Sequence, residues 1–394
     1  MDFADLLAPV PVRTFLDETY DRVPLHIPAT GEAGEHRRAL LSWSRLNALL
    51  GIAGHWRQEN IKLLLNGAPL PTEHYLDDVA TSVGFERRAD PAKIESLLAL
   101  GASLVADAVE NACAELKQVT TMLGGRFLGN SSANAYCSFQ GVQAFRSHLD
   151  LHDVFAVHCE GEKVWRIYRN RAADPVDQHG GPDAQAEIDA AKGPVLMEVR
   201  MRPGDLLYIP RGYYHDALAW SEASLHITFS VARHSGRILF RILEELAMRD
   251  PLFRAWLPDA RADGGRLLAD RLALLSERAA ELMRTPAFLS TLVNEQLELA
   301  RPFRELALPE RPRPDFFVRS EHPCRVELDE EGATLAWDGG EAPLGLMEAP
   351  ARWFLGQSLV SFQQLAAHYP QHGEEALRAL VQLLQRAGLV APRA

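Results

Sequence analysis

The spacing of apolar residues changes character three times along this chain. Residues 1 to about 60 mix short apolar pieces with turn residues, and Pro24-Leu25-His26-Ile27-Pro28 reads as a short strand. From Asp90 to Val119 the period is helical: Ile94, Leu97, Leu98 and Ala102 keep i, i+3, i+4 spacing, and Pro91 suits a first helical turn. Gly101 weakens the middle of this stretch, so the pattern predicts two helices rather than one. Between about Gly124 and His234 the period falls to two. The pieces NAYCSFQ, DVFAVHCEGEKVWRIY, LMEVRMRPGDLLYIP and SLHITFSVAR read as strands separated by Gly, Pro and Asp. Arg202-Pro203-Gly204-Asp205 marks a tight turn, and the polar run from Arg171 to Gly193 reads as an excursion loop.

After Ser235 the strand pattern stops. Residues 236–304 predict three or four amphipathic helices, with 270–284 the clearest. From about Pro312 short strand-like pieces lead into two helices. Ser361 is a candidate cap for the first, and Gly388 stops the second, which carries Leu377, Leu380, Val381 and Leu384 on one face. Many short antiparallel strands with Gly/Pro turns indicate a sandwich or barrel. The expected class is therefore α+β, with a β-barrel in the middle and helices plus a small β-wing, a winged-helix pattern, at the C-terminal end.

Composition narrows the functional classes. The 394 residues are 47% hydrophobic and 24% charged, as in a folded globular protein with more than one domain. No run of eighteen apolar residues occurs, and the first residues lack a basic region followed by an apolar one; the expectation is no membrane partner and a cytoplasmic location. Cys113, Cys137, Cys159 and Cys324 are scattered without a CxxC pair, which argues against a zinc finger or disulfide framework. A net charge of −12 disfavours nucleic acid and favours basic partners. The C-terminal helix agrees, because Glu374 and Glu375 offset Arg378 and Arg386, so no direct DNA binding is expected.

The chemistry concentrates at Ser147-His148-Leu149-Asp150-Leu151-His152. In a strand, residues two apart share a face, so His148 and Asp150 would project side by side. Two imidazoles and a carboxylate on one face of an octahedral iron leave the other face open. A lone HxD is an ordinary polar strand end and decides nothing alone. His215, just past the turn Pro210-Arg211-Gly212, is placed to supply the third ligand. His152 continues the alternation and is either a fourth imidazole at the mouth or a satisfied surface histidine. His158 and Cys159 read as packing residues, Trp165 and Tyr168 as barrel core or rim. Arg211, Tyr213 and Tyr214 border His215 as candidate substrate contacts.

Six pieces in order carry a family likeness: Asn134-x-Tyr136; His148-x-Asp150; Asp153-Val154-Phe155-x-Val157; Gly161-Glu162-Lys163-x-Trp165-Arg166-x-Tyr168; Pro203-Gly204-Asp205-x-x-Tyr208-Ile209-Pro210-x-Gly212-x-x-His215; and His226-x-Thr228-x-Ser230. This run resembles the JmjC/cupin-type Fe(II) and 2-oxoglutarate-dependent oxygenases, and within them the ribosomal-protein hydroxylases (ribosomal oxygenases). The resemblance implies a double-stranded β-helix (cupin/JmjC jelly roll). It implies a catalytic domain over 1–235, a helical dimerisation segment over 236–308 and a winged-helix domain over 309–394. It implies His148, Asp150 and His215 as catalytic iron ligands, and Lys163 as the partner of the distal carboxylate of 2-oxoglutarate, with Tyr136, Asn134 and Thr228 around it. It implies hydroxylation of a protein side chain, Arg or His of a ribosomal protein, by a homodimer. Without the resemblance Lys163 would be a solvated hairpin lysine. One departure stands out: the family carries a Pro/Gly-rich turn before HxD, whereas Ser138–Ser147 here has no proline. The remaining alternatives are a cupin-type hydroxylase tailoring a peptide or small molecule, a metal-dependent cupin isomerase, and a winged-helix regulator with a sensory cupin.

Overall fold

The computed structural model describes residues 1–393 apart from 53–55, 58, 66, 83, 140–145, 179, 182, 221, 302–314 and 330–331. Two compact units divide the chain, Met1–Arg233 and His234–Ala394. Among the described residues no helix is long and apolar enough to cross a membrane.

The first unit is built on thirteen described strands. Six precede the predicted barrel region: β1 (Leu25–Ile27), β2 (Ile61–Leu65), β3 (Ala68–Pro69), β4 (Leu76–Thr81), β5 (Gly84–Ala89) and β6 (Ser103–Ala106). Seven lie within it: β7 (Gly129–Phe139), β8 (Asp153–Glu160), β9 (Lys163–Arg171), β10 (Val195–Met201), β11 (Leu206–Ile209), β12 (Tyr213–Ala219) and β13 (Ala223–Arg233). An eight-stranded sheet runs β1-β11-β8-β13-β7-β6-β2-β3, and a three-stranded sheet runs β10-β9-β12. The large sheet is antiparallel throughout, including the long register of β13 on β7, where Thr228 faces Asn134 and His226 faces Tyr136.

Alternation explains why these strands are so apolar. On the outer face Phe155, Val157, Cys159, Leu225, Ile227, Phe229, Ala133 and Ala135 join one core with Leu6, Leu7, Phe15, Leu116, Val119 and Leu123 from the flanking helices. On the inner face Val154, Ala156, Leu207 and Ile209 meet Trp165, Ile167, Val199 and Met201 of the small sheet. Both faces of the large sheet are thus covered. Only at one end is the interior polar, where Asn134, Tyr136, His226, Thr228 and Ser230 replace the apolar residues of the alternation.

Three sequence expectations need correction. The helical stretch 90–119 is two helices, Pro91–Ala99 and Ala114–Phe127, but β6 lies between them. Gly101, at φ +91°, turns the chain out of the first helix, and the buried run Ser103–Ala106 gains more as a sheet strand between β2 and β7 than as helix. The excursion 171–193 is not all loop, because Ala184–Ala191 is a helix whose buried Ile188 docks on the barrel. Residues 1 to about 60, read as short apolar pieces with turn residues, also hold helices Phe3–Leu7, Gly31–Arg38 and Trp43–Leu50, and the β4–β5 hairpin follows. The expected helix opening is present: Asp90 caps it by accepting from the Lys93 amide at 2.9 Å, with Pro91 next.

The second unit contains helices Ile238–Ala247, Pro251–Arg254, Arg266–Met283 and Pro286–Leu299, then strands and helices that end in Glu374–Arg386. Its two three-stranded sheets join Leu359–Ser361, Phe316–Arg319 and Val390–Pro392, and Cys324–Leu328, Ala333–Trp337 and Gly340–Pro343. Ser361 caps its helix in a reciprocal capping box, and Gly388 takes φ +67° after the last helix. One core cluster includes Ile242, Leu246 and Phe288 together with Phe354, Leu377, Leu380 and Leu384. The expected boundary at 308/309 lies outside the described residues.

The Arg202–Asp205 turn shows how tightly the barrel is closed. Gly204 adopts φ +89°, and a Cβ there would meet the Gly34 carbonyl oxygen at 2.5 Å and the Ala29 Cβ at 2.9 Å. The buried Arg37 guanidinium donates to the Gly204 carbonyl at 2.7 Å, while Asp205 accepts from the amides of Ala29 and Arg202. Gly204→Ala should therefore lower unfolding free energy by about 2–4 kcal/mol in urea titration, through backbone strain plus overpacking. A loss below about 0.5 kcal/mol would show that the turn relaxes freely.

Candidate metal centre

His148 and Asp150 do not lie in a strand, as the alternation argument assumed. Residue 148 makes a single antiparallel bridge to His215, through His148 N to His215 O at 3.0 Å and His215 N to His148 O at 2.8 Å. The amide of Gly212 then donates to the Asp150 carbonyl at 2.9 Å. His215, expected just past the Pro210–Gly212 turn, is the third residue of β12. The bridge sets the two histidine rings 4.4 Å apart, and Asp150 Oδ2 lies 3.5 Å from His215 Nε2. One donor atom from each of His148, Asp150 and His215 falls within 4.8 Å of the others.

Both imidazoles are anchored in the same way. Nδ1 of His148 donates to the Arg146 carbonyl at 2.9 Å, and Nδ1 of His215 donates to the Tyr213 carbonyl at 3.0 Å. A carbonyl can only accept, so each Nδ1 carries the proton and Nε2 carries the lone pair that a metal takes. Burial, followed by the nearby His148, pushes His215 down to about 4, so it is neutral at ordinary pH. Burial would raise Asp150, but the field of His215, His148 and His152 outweighs it and holds the carboxylate below its usual range. The donor set is therefore two imidazoles and one carboxylate, with no thiolate. That composition fits a divalent first-row metal such as Fe(II).

The triad opens onto a cavity of about 190 Å³ lined by Asn134, Tyr136, His152, Lys163, Trp165 and Thr228, among others. All four residues proposed to surround a co-substrate (Lys163, Tyr136, Asn134, Thr228) line this cavity together with the three candidate ligands. Lys163 is only 2% exposed; its ammonium donates to Ser138 Oγ at 3.2 Å, and no carboxylate pairs with it among the described residues. Burial lowers it to about 8, with Cys137 acting weakly against the shift. A buried cation without a counter-charge is costly, and an anionic occupant would relieve that cost. Trp165 Nε1 and His226 Nδ1 are also buried without a hydrogen-bond partner. The cavity is thus short of acceptors, which is what a dicarboxylate supplies.

Several positions were missed or misplaced by the sequence. His152 lines the cavity. His226, given no role, and Trp165, read as barrel core or rim, line the cavity; His226 stacks on Tyr136 at 4.7 Å and Trp165 lies 6.0 Å from the His215 ring. The period-two alternation through Thr228 predicts an inward His226. Tyr213 and Tyr214 are not brought to the cavity: Tyr213 packs in the inner apolar core with its hydroxyl on the Arg22 carbonyl, and Tyr214 packs with Leu149 and Ile188. Arg211 instead pairs with Asp174 at 2.7 Å. His158 and Cys159 are fully buried. Of the proline-free turn at 138–147, residues 140–145 lie outside the described residues.

Residues 114–239 match the JmjC domain family. It is 28% identical over 228 residues to the bifunctional lysine-specific demethylase and histidyl-hydroxylase NO66 of Drosophila persimilis, covering 58% of this chain and 31% of that protein. It is 28% identical over 265 residues to ribosomal oxygenase 1 of Danio rerio, covering 65% of this chain and 46% of that protein. The chain therefore spans between about a third and a half of the length of these relatives. The structure of YcfD, a ribosomal oxygenase from Escherichia coli in complex with cobalt and 2-oxoglutarate, matches over 98% of this chain and 99% of that one. Its TM-score is 0.51 at 18% identity, a likeness of fold.

The purified chain should bind one divalent ion, read as a rise in melting temperature on adding Co(II) or Mn(II). His215→Ala and Asp150→Ala should each abolish that rise. An undiminished rise in both variants would place the metal elsewhere.

Proposed function

We propose that this protein is an Fe(II)- and 2-oxoglutarate-dependent oxygenase that hydroxylates a protein side chain, with Arg or His of a ribosomal protein as the substrate class. The observation that carries the reading is Lys163, a buried cation without a carboxylate partner, in the same cavity as the His148/Asp150/His215 donors. A metal-dependent isomerase would need the donors but not the buried cation. The relatives named ribosomal oxygenase and histidyl-hydroxylase support the substrate class, as does a net charge of −12 facing basic ribosomal proteins.

His148, Asp150 and His215 would hold the iron through Nε2, a carboxylate oxygen and Nε2. When bound, iron with 2-oxoglutarate and O₂ supplies the oxidising power, leaving succinate and CO₂ as by-products. The chain's own residues do the rest. Lys163 pairs with the distal carboxylate of 2-oxoglutarate, and Tyr136, Asn134 and Thr228 offer polar atoms around it. Val154 and Ala217 line the same cavity and limit water there. The Nδ1 anchors on Arg146 and Tyr213 keep both imidazoles turned toward the metal.

The second unit suits protein contact. Phe240 on helix Ile238–Ala247 and Trp256 just after helix Pro251–Arg254 are exposed, at 74% and 96%, and we read this segment as the homodimer contact. The winged-helix reading of the C-terminal part rests on its helices and small sheets, and the balanced charges of Glu374–Arg386 favour a protein partner over DNA.

Two measurements test the reading. Succinate should form from 2-oxoglutarate with Fe(II), and isolated ribosomal proteins should gain +16 in mass, both lost in His148→Ala. Lys163→Ala should weaken 2-oxoglutarate by roughly 30-fold or more, about 2 kcal/mol, while retaining metal. Because Lys163 lies near about 8 before its partner arrives, affinity should be flat below that pH. Above it, affinity should fall about tenfold per pH unit as the free cavity loses its ammonium proton. Affinity independent of pH to 10 would exclude Lys163 as the counter-charge.

A further inference from the structure

Strand alternation places Asp216 on the opposite side of β12 from His215, away from the cavity. There Asp216 is 8% exposed, and one of its oxygens, Oδ2, accepts from Ser147 Oγ at 2.7 Å and from Tyr168 OH at 2.6 Å. Ser147 immediately precedes His148, so this carboxylate ties the first donor segment to the strand of the last. Lys192, at the end of the excursion helix, donates to Ser147 Oγ at 3.0 Å and stands over the Tyr168 ring at 4.6 Å.

The excursion adds two bonds to the backbone of the same segment. Gln185 Nε2 donates to the Ser147 carbonyl at 3.2 Å, and Gln178 Nε2 donates to the Leu149 carbonyl at 3.3 Å. Between His148 and Asp150, Leu149 points backward and is buried with Tyr168, Ile188 and Tyr214. Residues 147–149 therefore meet four side-chain bonds and a small apolar cluster on the face away from the donors. This compensates for what the segment lacks: it is a loop with one bridge, not a strand held by a ladder.

We propose that Gln178, Gln185, Ile188 and Lys192 of the excursion and the Ser147–Asp216–Tyr168 network form a clamp whose task is to fix the His148–Asp150 spacing, making Asp216, Tyr168, Ser147 and Gln185 positioning residues for the metal centre. None of them touches the cavity. Their effect reaches the metal through the backbone of 147–149 and through β12. The clamp is separate from the barrel core, so loosening it disturbs donor geometry more than it disturbs folding. This inference rests on the metal-site reading above.

The test is Co(II) titration of the full chain, followed by visible absorption, beside the melting temperature of the metal-free protein. Tyr168→Phe and Ser147→Ala should each weaken Co(II) by about tenfold, and Gln185→Ala by about threefold, with metal-free melting close to wild type. The double variant Ser147→Ala/Tyr168→Phe should lose less than the product of the singles, because both hydroxyls act on one carboxylate oxygen. Gln185→Ala touches only a half-buried helical side chain and keeps the test open should a network variant fold poorly. Affinities within twofold of wild type in all three single variants would overturn the clamp, as would losses that simply track metal-free stability. Wild-type protein that binds no Co(II) would overturn the metal reading itself, whereas binding shared equally by wild type and variants would overturn the clamp alone.

Discussion

Everything at the candidate centre depends on two backbone hydrogen bonds, His148 N to His215 O and His215 N to His148 O. They bring a loop against a sheet strand and set two rings 4.4 Å apart with Asp150 beside them. Side-chain chemistry alone would not assemble this set, because Asp150 and His215 carry opposite tendencies. Burial disfavours charge on both, and the approach of His215, with His148 and His152, makes a buried carboxylate tolerable. The arrangement is a set of two imidazoles and one carboxylate that suits a divalent ion.

The barrel around that point divides its labour by parity. Odd residues of β8 and β13, such as Phe155, Val157, Ile227 and Phe229, hold the sheet to the helical layer. Even residues of β13 and β7 face inward, where Thr228, His226, Asn134 and Tyr136 give a polar lining. Stability and chemistry are therefore encoded on opposite faces of the same strands. A one-residue slip in the β7–β13 register would exchange the two, burying polar groups in the core and greasing the cavity. The long, regular pairing of these strands guards against that slip.

Much of this was legible in the sequence because strand periodicity is local. The strand runs from Asn134 to Arg233, the Arg202–Asp205 turn and the Ser361 cap were all readable from neighbouring residues. The cavity residues were legible once six motifs were read as one pattern. What escaped was set by distant partners. Ser103–Ala106 became a strand because β2 and β7 flank it, and the helix within 171–193 forms where Ile188 finds Leu149 and Tyr168. The extended shape of His148–Asp150 was anticipated for the wrong reason: a single bridge and side-chain contacts hold it, not a ladder. Lys163 was legible only through the six-motif pattern, because local sequence does not reveal which side of a hairpin closes onto a barrel.

The loop character of residues 146–152 has a kinetic side. Amides in β7, β8 and β13 are held by paired neighbours, so their hydrogen exchange reports on global opening. The donor loop is joined to β12 by two backbone bonds and to the preceding Gly212 by a third, and can fray while the sheets stay intact. An ion held there can leave and be replaced on the timescale of a local fluctuation. The protein would then sample its metal supply continuously during its folded lifetime, and its loading would follow the surrounding ion pool rather than the conditions in which the chain first folded.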